Sequence, residues 1–218
     1  MNAQDRILKS KIIAIIRGQG RENLFKIADA LYNGGVSCME ITYNSSKPET
    51  DEETAKTLSM LIEKFGDKMS FGSGTVLNER QVELTRAAGG EFIISPNVNV
   101  NVIKKTKELG LLSIPGAYSP SECQLACEAG ADYVKLFPVV NLGADYLKAI
   151  AAPLSHIKFM AVGGVTAENL VDYMKAGAVG IGTGGDLVNK EAVKNGEFDK
   201  ITERAKQYVK AIKTLEEG

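Results

Sequence analysis

Histidine is almost missing from this chain: His156 is the only one in 218 residues. That count excludes a Ser-His-Asp relay with a histidine to spare, and it excludes a multi-histidine metal site. Cysteine is scarce as well. Cys38, Cys123 and Cys127 are odd in number and have no framework spacing, so they read as reduced thiols of a cytoplasmic protein. Cys123 and Cys127 stand four apart on an expected helix without another soft ligand near them in sequence, and packing is the simpler role. Net charge is nearly absent, with 26 Lys+Arg against 27 Asp+Glu. No strong field for nucleic acid or for an anionic membrane follows from that balance. No apolar run approaches a membrane span, and no N-terminal stretch has the length or charge order of a signal peptide. What remains, 44% hydrophobic and 24% charged residues, is the composition of an ordinary globular protein.

What the chain does have is one unit repeated. A short amphipathic helix over 3–10 precedes an unbroken apolar strand over 11–18, of the kind buried on both faces in parallel sheets. A helix over 21–32 follows and closes on Asn33-Gly34-Gly35. The pattern then recurs as strand and helix over 38–43 and 50–65, 69–75 and 78–88, 92–95 and 100–109, and 111–114 and 119–129. It continues over 133–137 and 144–152, 159–162 and 166–175, and 178–181 and 198–215. Eight such units without an inserted domain or low-complexity linker predict an α/β chain forming one (β/α)8 TIM barrel over 1–218, with a short N-terminal helix. An open doubly wound sheet is the alternative, but it usually has fewer strands and a visible nucleotide motif. Ile201, Ala205, Val209 and Ile212 on the last helix form its packing face against the barrel.

One lysine interrupts this apolar pattern. Lys135 lies in Tyr133-Val134-Lys135-Leu136-Phe137-Pro138, a run that reads as a buried strand stopped by proline. Desolvation lowers the pKa of such an amine, which suits a nucleophile that forms a Schiff base. A lysine paired with a buried acid, or one snorkelling out at a strand end, is the other reading. Glu40, in Cys38-Met39-Glu40-Ile41-Thr42, shares a strand face with Cys38 and Thr42. Inside a barrel its pKa would rise, fitting it either to move protons near neutral pH or to pair with Lys135. Two glycine-rich turns end the last two strands, Val162-Gly163-Gly164-Val165-Thr166 and Gly180-Ile181-Gly182-Thr183-Gly184-Gly185-Asp186. Thr166 is the expected cap of the helix that follows the first of them. Barrels commonly hold a phosphate at those loops, with backbone N–H groups and a helix N-terminus facing the anion.

These motifs occur in one order: Ile15-Ile16-Arg17, Glu40-Ile41-Thr42, Gly72-Ser73-Gly74-Thr75-Val76-Leu77-Asn78, Ile94-Ser95-Pro96-Asn97, Ile114-Pro115-Gly116, Lys135-Leu136-Phe137-Pro138 and Val162-Gly163-Gly164-Val165. In that order the chain resembles, over nearly its whole length, the class I aldolases of 2-keto-3-deoxy-6-phosphogluconate and 4-hydroxy-2-oxoglutarate. The resemblance implies a (β/α)8 barrel, a homotrimer, no metal or other cofactor, and a phosphorylated keto-acid substrate. It implies Lys135 as the Schiff-base lysine and Glu40 as the general acid/base. Arg17, Thr42, Asn44, Thr75, Pro96 and Phe137 would bind the substrate, and Gly163, Gly164, Gly182, Thr183, Gly184 and Gly185 its phosphate. Asn44 stands where gluconate-type enzymes commonly carry arginine, and Gly185 where relatives often place a serine. Glu40-Ile41-Thr42-Tyr43-Asn44-Ser45 looks closer to the phosphogalactonate-cleaving branch. The expected reaction cleaves a 2-dehydro-3-deoxy-6-phospho-sugar acid to pyruvate and glyceraldehyde 3-phosphate. Two alternatives stand beside it: cleavage of 4-hydroxy-2-oxoglutarate to pyruvate and glyoxylate, and a barrel that binds or isomerises a phosphosugar without a covalent step.

Overall fold

The computed structural model describes residues 1–217, so of the expected domain only Gly218 lies outside the described residues. The short aliphatic runs form nine strands: β1 (Ile12–Ile16), β2 (Cys38–Thr42), β3 (Ser70–Gly74), β4 (Phe92–Ile94), β5 (Leu112–Ile114), β6 (Gly116–Ala117), β7 (Val134–Leu136), β8 (Phe159–Val162) and β9 (Ala178–Thr183). Neighbours pair in parallel in the order β5-β4-β3-β2-β1-β9-β8-β7-β6. The ends of that order meet, because only Pro115 separates β5 from β6. Proline has no N–H to donate, so the ladder lapses at that residue. The carbonyls of Ser113 and Pro115 still accept from the N–H groups of Tyr133 and Lys135, at 3.2 and 2.9 Å. The ring therefore has the eight positions expected, with the fifth strand in two pieces.

The helices are α1 (Ala3–Ser10), α2 (Arg21–Asn33), α3 (Asp51–Phe65), α4 (Glu79–Ala87), α5 (Val100–Glu108), α6 (Pro120–Glu128), α7 (Gly143–Ala151), α8 (Leu170–Lys175), α9 (Lys190–Lys194) and α10 (Phe198–Glu217). Their starts are chemical. Asn78 accepts from the Gln81 N–H, and Ser119 with Glu122 forms a reciprocal capping box. Two expectations at the end of the chain change. The helix after β8 begins at Leu170, and Thr166 does not cap it. Its N–H donates to Asn169 Oδ1 at 2.8 Å instead, forming a turn. The short α9, capped by Asn189, was not anticipated.

Strand alternation divides the core in two. Ile12, Ala14, Ile16, Met39, Ile41, Val134, Leu136, Phe159, Ala161 and Ile181 face the helix layer. Ile13, Cys38, Phe92, Ile94, Tyr133, Met160 and Val162 face the interior. Helix α1 contributes Ala3 and Ile7 to that interior and so closes the N-terminal end of the barrel. Burying Ile7 alone is worth about 1.5–3 kcal/mol. The charged side chains of the interior, Glu40 and Lys135, lie beyond that apolar floor toward the C-terminal ends of the strands, where a barrel of this kind builds its site. Among the described residues, no helix is long and apolar enough to cross a membrane.

Candidate active site

Two strand positions put the charged pair inside. Glu40 lies two residues beyond interior Cys38, and Lys135 two beyond interior Tyr133, so both side chains follow the inner face. Their residues are only 1% and 7% exposed. Burial raises the Glu40 carboxyl to about 7, against the opposing pull of the Lys135 ammonium and the Arg17 guanidinium. Burial lowers the Lys135 pKa. The Glu40 carboxylate opposes that shift, and Arg17 adds to it. Glu40 Oε2 has no hydrogen-bond partner among the described residues, and the Lys135 Nζ sits 4.5 Å from the centroid of the Phe137 ring. Burial thus pushes the carboxyl up and the amine down within one interior, the arrangement that suits groups for moving protons.

Room for Glu40 comes from the strand beside it. Gly72 is the register partner of Glu40, and a Cβ on Gly74 would lie 2.2 Å from Glu40 Oε1. Thr75 then breaks the alternation. By parity with Phe71 and Ser73 it should face the helices, but its φ of 55° carries the chain into the left-handed region. A β-branched residue pays strain there, of order 1–3 kcal/mol. The result is that its Oγ1 accepts from Arg17 Nη2 at 3.0 Å, at the mouth of the barrel. Ser73 keeps its parity, and its Oγ accepts from Thr85 Oγ1 at 2.8 Å in the helix layer.

A cavity of about 270 Å³ joins these groups: Arg17, Glu40, Thr75, Pro96, Lys135 and Phe137 line it, together with Gly163, Gly164, Gly182, Thr183, Gly184 and Gly185. Twelve of the fourteen residues expected from sequence therefore share one wall. Ile15, Val162, Val165, Thr166 and Asp186 also line it and were not anticipated. Alternation carried a signal for Ile15 and Val162, and adjacency to the glycine run carried one for Asp186. Thr42 and Asn44 are the two that fall elsewhere. They line a neighbouring cleft of about 480 Å³ that shares Arg17 with the first. Asn44 Oδ1 accepts from the Ser46 N–H at 3.1 Å, which ties that side chain into its own loop.

The glycine side is built from backbone. Among the described residues, the N–H groups of Gly164, Gly185 and Asp186 have no partner within the chain. The helix starts differ from expectation, and one side chain of the second turn faces away from the cavity. Thr183 shares parity with Ile181, so its side chain points to the helix layer, where its hydroxyl donates to the Val165 carbonyl at 3.0 Å. Only its backbone is left to face a ligand. The helices after the two turns, α8 and α9, have six and five residues, and neither begins directly at its glycines. An anion placed there would meet loop N–H groups rather than a helix dipole. Among the described residues, no cluster of three or more His, Cys, Asp or Glu side chains is placed to hold a metal ion.

Comparison with known proteins places this geometry. Residues 3–204 match the family model described as KDPG and KHG aldolase. The 2-dehydro-3-deoxy-6-phosphogalactonate aldolase of Escherichia coli K12 is 34% identical over 94% of this chain and 96% of its own. The KHG/KDPG aldolase of the same organism is 31% identical over 97% of each chain. A native KDPGal structure superposes with a TM-score of 0.84 at 33% identity, covering 95% of this chain and 96% of that one. The KDPG aldolase of Legionella pneumophila, with pyruvate captured as a covalent carbinolamine, superposes with a TM-score of 0.82 at 30% identity, over 92% and 95% of the chains.

Proposed function

The chain belongs to the KDPG and KHG aldolase family, and we propose that Lys135 is the nucleophile and Glu40 the proton carrier of its aldol cleavage. The enzyme is a lyase that releases pyruvate and an aldehyde, and its sequence sides with the galactonate-cleaving branch. One observation carries the residue assignment: a buried amine with a depressed pKa and a carboxyl titrating near 7 line the same cavity.

Neutral Lys135 adds to the C2 ketone to give a carbinolamine; the Glu40 carboxylic acid gives its proton to the C2 hydroxyl, which leaves as water, and a protonated imine remains. The Glu40 carboxylate takes the proton of the C4 hydroxyl. The C3–C4 bond breaks, its electron pair moves into the iminium, and the aldehyde leaves an enamine on Lys135. Glu40, now a carboxylic acid, returns its proton to C3, and water hydrolyses the resulting imine to pyruvate and free lysine. A carboxyl with a pKa of about 7 can serve these steps at neutral pH. Thr75 and Pro96 border the pyruvate half, and Arg17 offers charge to an anionic group. The glycine turns at 163–164 and 182–185 cradle a phosphate at the far end, so the substrate is a 2-dehydro-3-deoxy-6-phospho-sugar acid of the galactonate type and the aldehyde is glyceraldehyde 3-phosphate. A homotrimer in the cytoplasm accompanies this reading, and light scattering tests the assembly.

Borohydride added with pyruvate should inactivate the protein and add mass at Lys135, while Lys135→Met should form no adduct and lose cleavage by on the order of 10⁴-fold or more. An adduct on another lysine, or none, would sink the assignment. A turnover panel of phosphogalactonate-derived, phosphogluconate-derived and unphosphorylated substrates separates the galactonate reading from cleavage of 4-hydroxy-2-oxoglutarate.

A further inference from the structure

The last helix reaches the glycine turns from outside the barrel. Arg204 on α10 holds its guanidinium between two carboxylates. Its Nη1 and Nη2 donate to Glu168 Oε1 and Oε2 at 2.7 and 2.8 Å. Its Nε and Nη2 donate to Asp186 Oδ2 and Oδ1 at 3.0 and 2.9 Å. Glu168 belongs to the turn that follows Gly163-Gly164, and Asp186 directly follows Gly184-Gly185. One planar fork therefore ties together the two turns that line the Lys135 cavity. Tyr208, one turn further along α10, donates its hydroxyl to Asp186 and lies under the guanidinium, 5.5 Å from its Cζ.

Charge adds a second effect. Asp186 itself lines the cavity, and an unpaired carboxylate beside the glycine turns would repel an arriving phosphate. The Arg204 side chain is only 22% exposed and that of Asp186 32%, so this pair is screened less than an open surface pair would be. Glu168, at 69% exposed, contributes mainly geometry.

We propose that Arg204 is a positioning residue for the phosphate end of the substrate, fixing the two glycine turns relative to each other and cancelling the Asp186 charge. It touches neither the reacting carbons nor Lys135. The inference rests on the reading of those turns as the phosphate cradle. Three quantities test it: KM for the phosphorylated sugar acid, Ki for inorganic phosphate, and the rate of adduct formation with pyruvate.

In Arg204→Gln, KM and Ki should rise together by about 10- to 100-fold, the scale of a misplacement near 1 Å, while the pyruvate adduct forms at the wild-type rate. Arg204→Lys keeps the charge without the fork and should fall between. Arg204→Gln combined with Asp186→Asn should recover part of the loss, because the unpaired carboxylate is gone. If Arg204→Gln does not fold, Glu168→Ala, which removes an exposed side chain and frees one turn, should raise Ki in the same direction. Unchanged Ki in these variants overturns the proposal, as does an equal loss of pyruvate adduct formation, which would mean general loosening. A wild-type enzyme that inorganic phosphate does not inhibit, and that turns over phosphorylated and unphosphorylated substrates alike, overturns the phosphate reading itself and this inference with it.

Discussion

The two halves of the cavity are made of different material. The half proposed for pyruvate is side chains: Glu40 and Lys135 project from β2 and β7 into the interior, where burial shifts the pKa of both. The half proposed for phosphate is backbone: Gly163, Gly164, Gly184 and Gly185 offer no side chain, and Arg204 and Tyr208 on α10 bond to the carboxylates of the same turns. Substitution in the first half should therefore change the chemical steps. Substitution around the second should change binding and leave the covalent step alone.

Glu40→Gln breaks the first half most sharply. Cleavage should fall by about 10²- to 10⁴-fold, the usual worth of a positioned proton carrier, while the pyruvate adduct still forms. The pH dependence has a determined sign. The Glu40 carboxylate supports the ammonium form of Lys135. Its removal therefore lowers the lysine pKa further, and the pH for half-maximal adduct formation should move down. An upward move would show that Glu40 does not face Lys135 in solution. Stability carries a second signature. The folded pKa of Glu40, about 7, lies above its ordinary 4.5, so this group favours folding most below 4.5. That contribution is lost as pH rises through about 7. Denaturant midpoints of Glu40→Gln followed across pH 4 to 8 should lack this decline, and a decline as steep as in the wild type would refute the assignment.

Gly74→Ala sharpens the same half from its neighbour. Its Cβ would lie 2.2 Å from Glu40 Oε1, so the carboxylate must move. Restoring ordinary contact takes a shift of roughly 1 Å, and a misplacement of that size costs about 10- to 100-fold in turnover. The lysine is untouched, so borohydride trapping with pyruvate should survive. Turnover equal to wild type would mean that Glu40 has slack the packing does not show.

Much of this was legible in the chain. The eight units, the inner face of β2 and β7 and the glycine turns all follow from apolar periodicity and punctuation. Motif order then supplied Thr75 and Pro96. What was not legible depends on contacts between distant segments. Pro115 splits the fifth strand without stopping the barrel, because β7 still finds the Ser113 and Pro115 carbonyls. Asn44 turns into its own loop. Thr75 enters the mouth only through a backbone conformation that its residue type disfavours. Arg204 reads in sequence as one more charge on the polar face of the last helix, and only the fold brings Glu168 and Asp186 to it.

Thr183 gives the smallest effect and the finest division between the halves. Its position beside Gly182 and Gly184 suggests a hydroxyl for the phosphate, yet alternation along β9 sends that hydroxyl to the Val165 carbonyl at 3.0 Å, with Tyr208 Oη also 3.0 Å away. Thr183→Val keeps the shape and removes the donor. The single Tyr208 proton is already donated to Asp186, so the Val165 carbonyl is left without its hydroxyl donor, and the loss should be about 1–3 kcal/mol of stability. KM for the phosphorylated substrate should move far less than in Arg204→Gln, because the backbone that faces the cavity is unchanged. A rise in KM as large as that of the arginine variant would mean that the hydroxyl turns inward when substrate binds. In that case the phosphate half, like the pyruvate half, would be built from side chains.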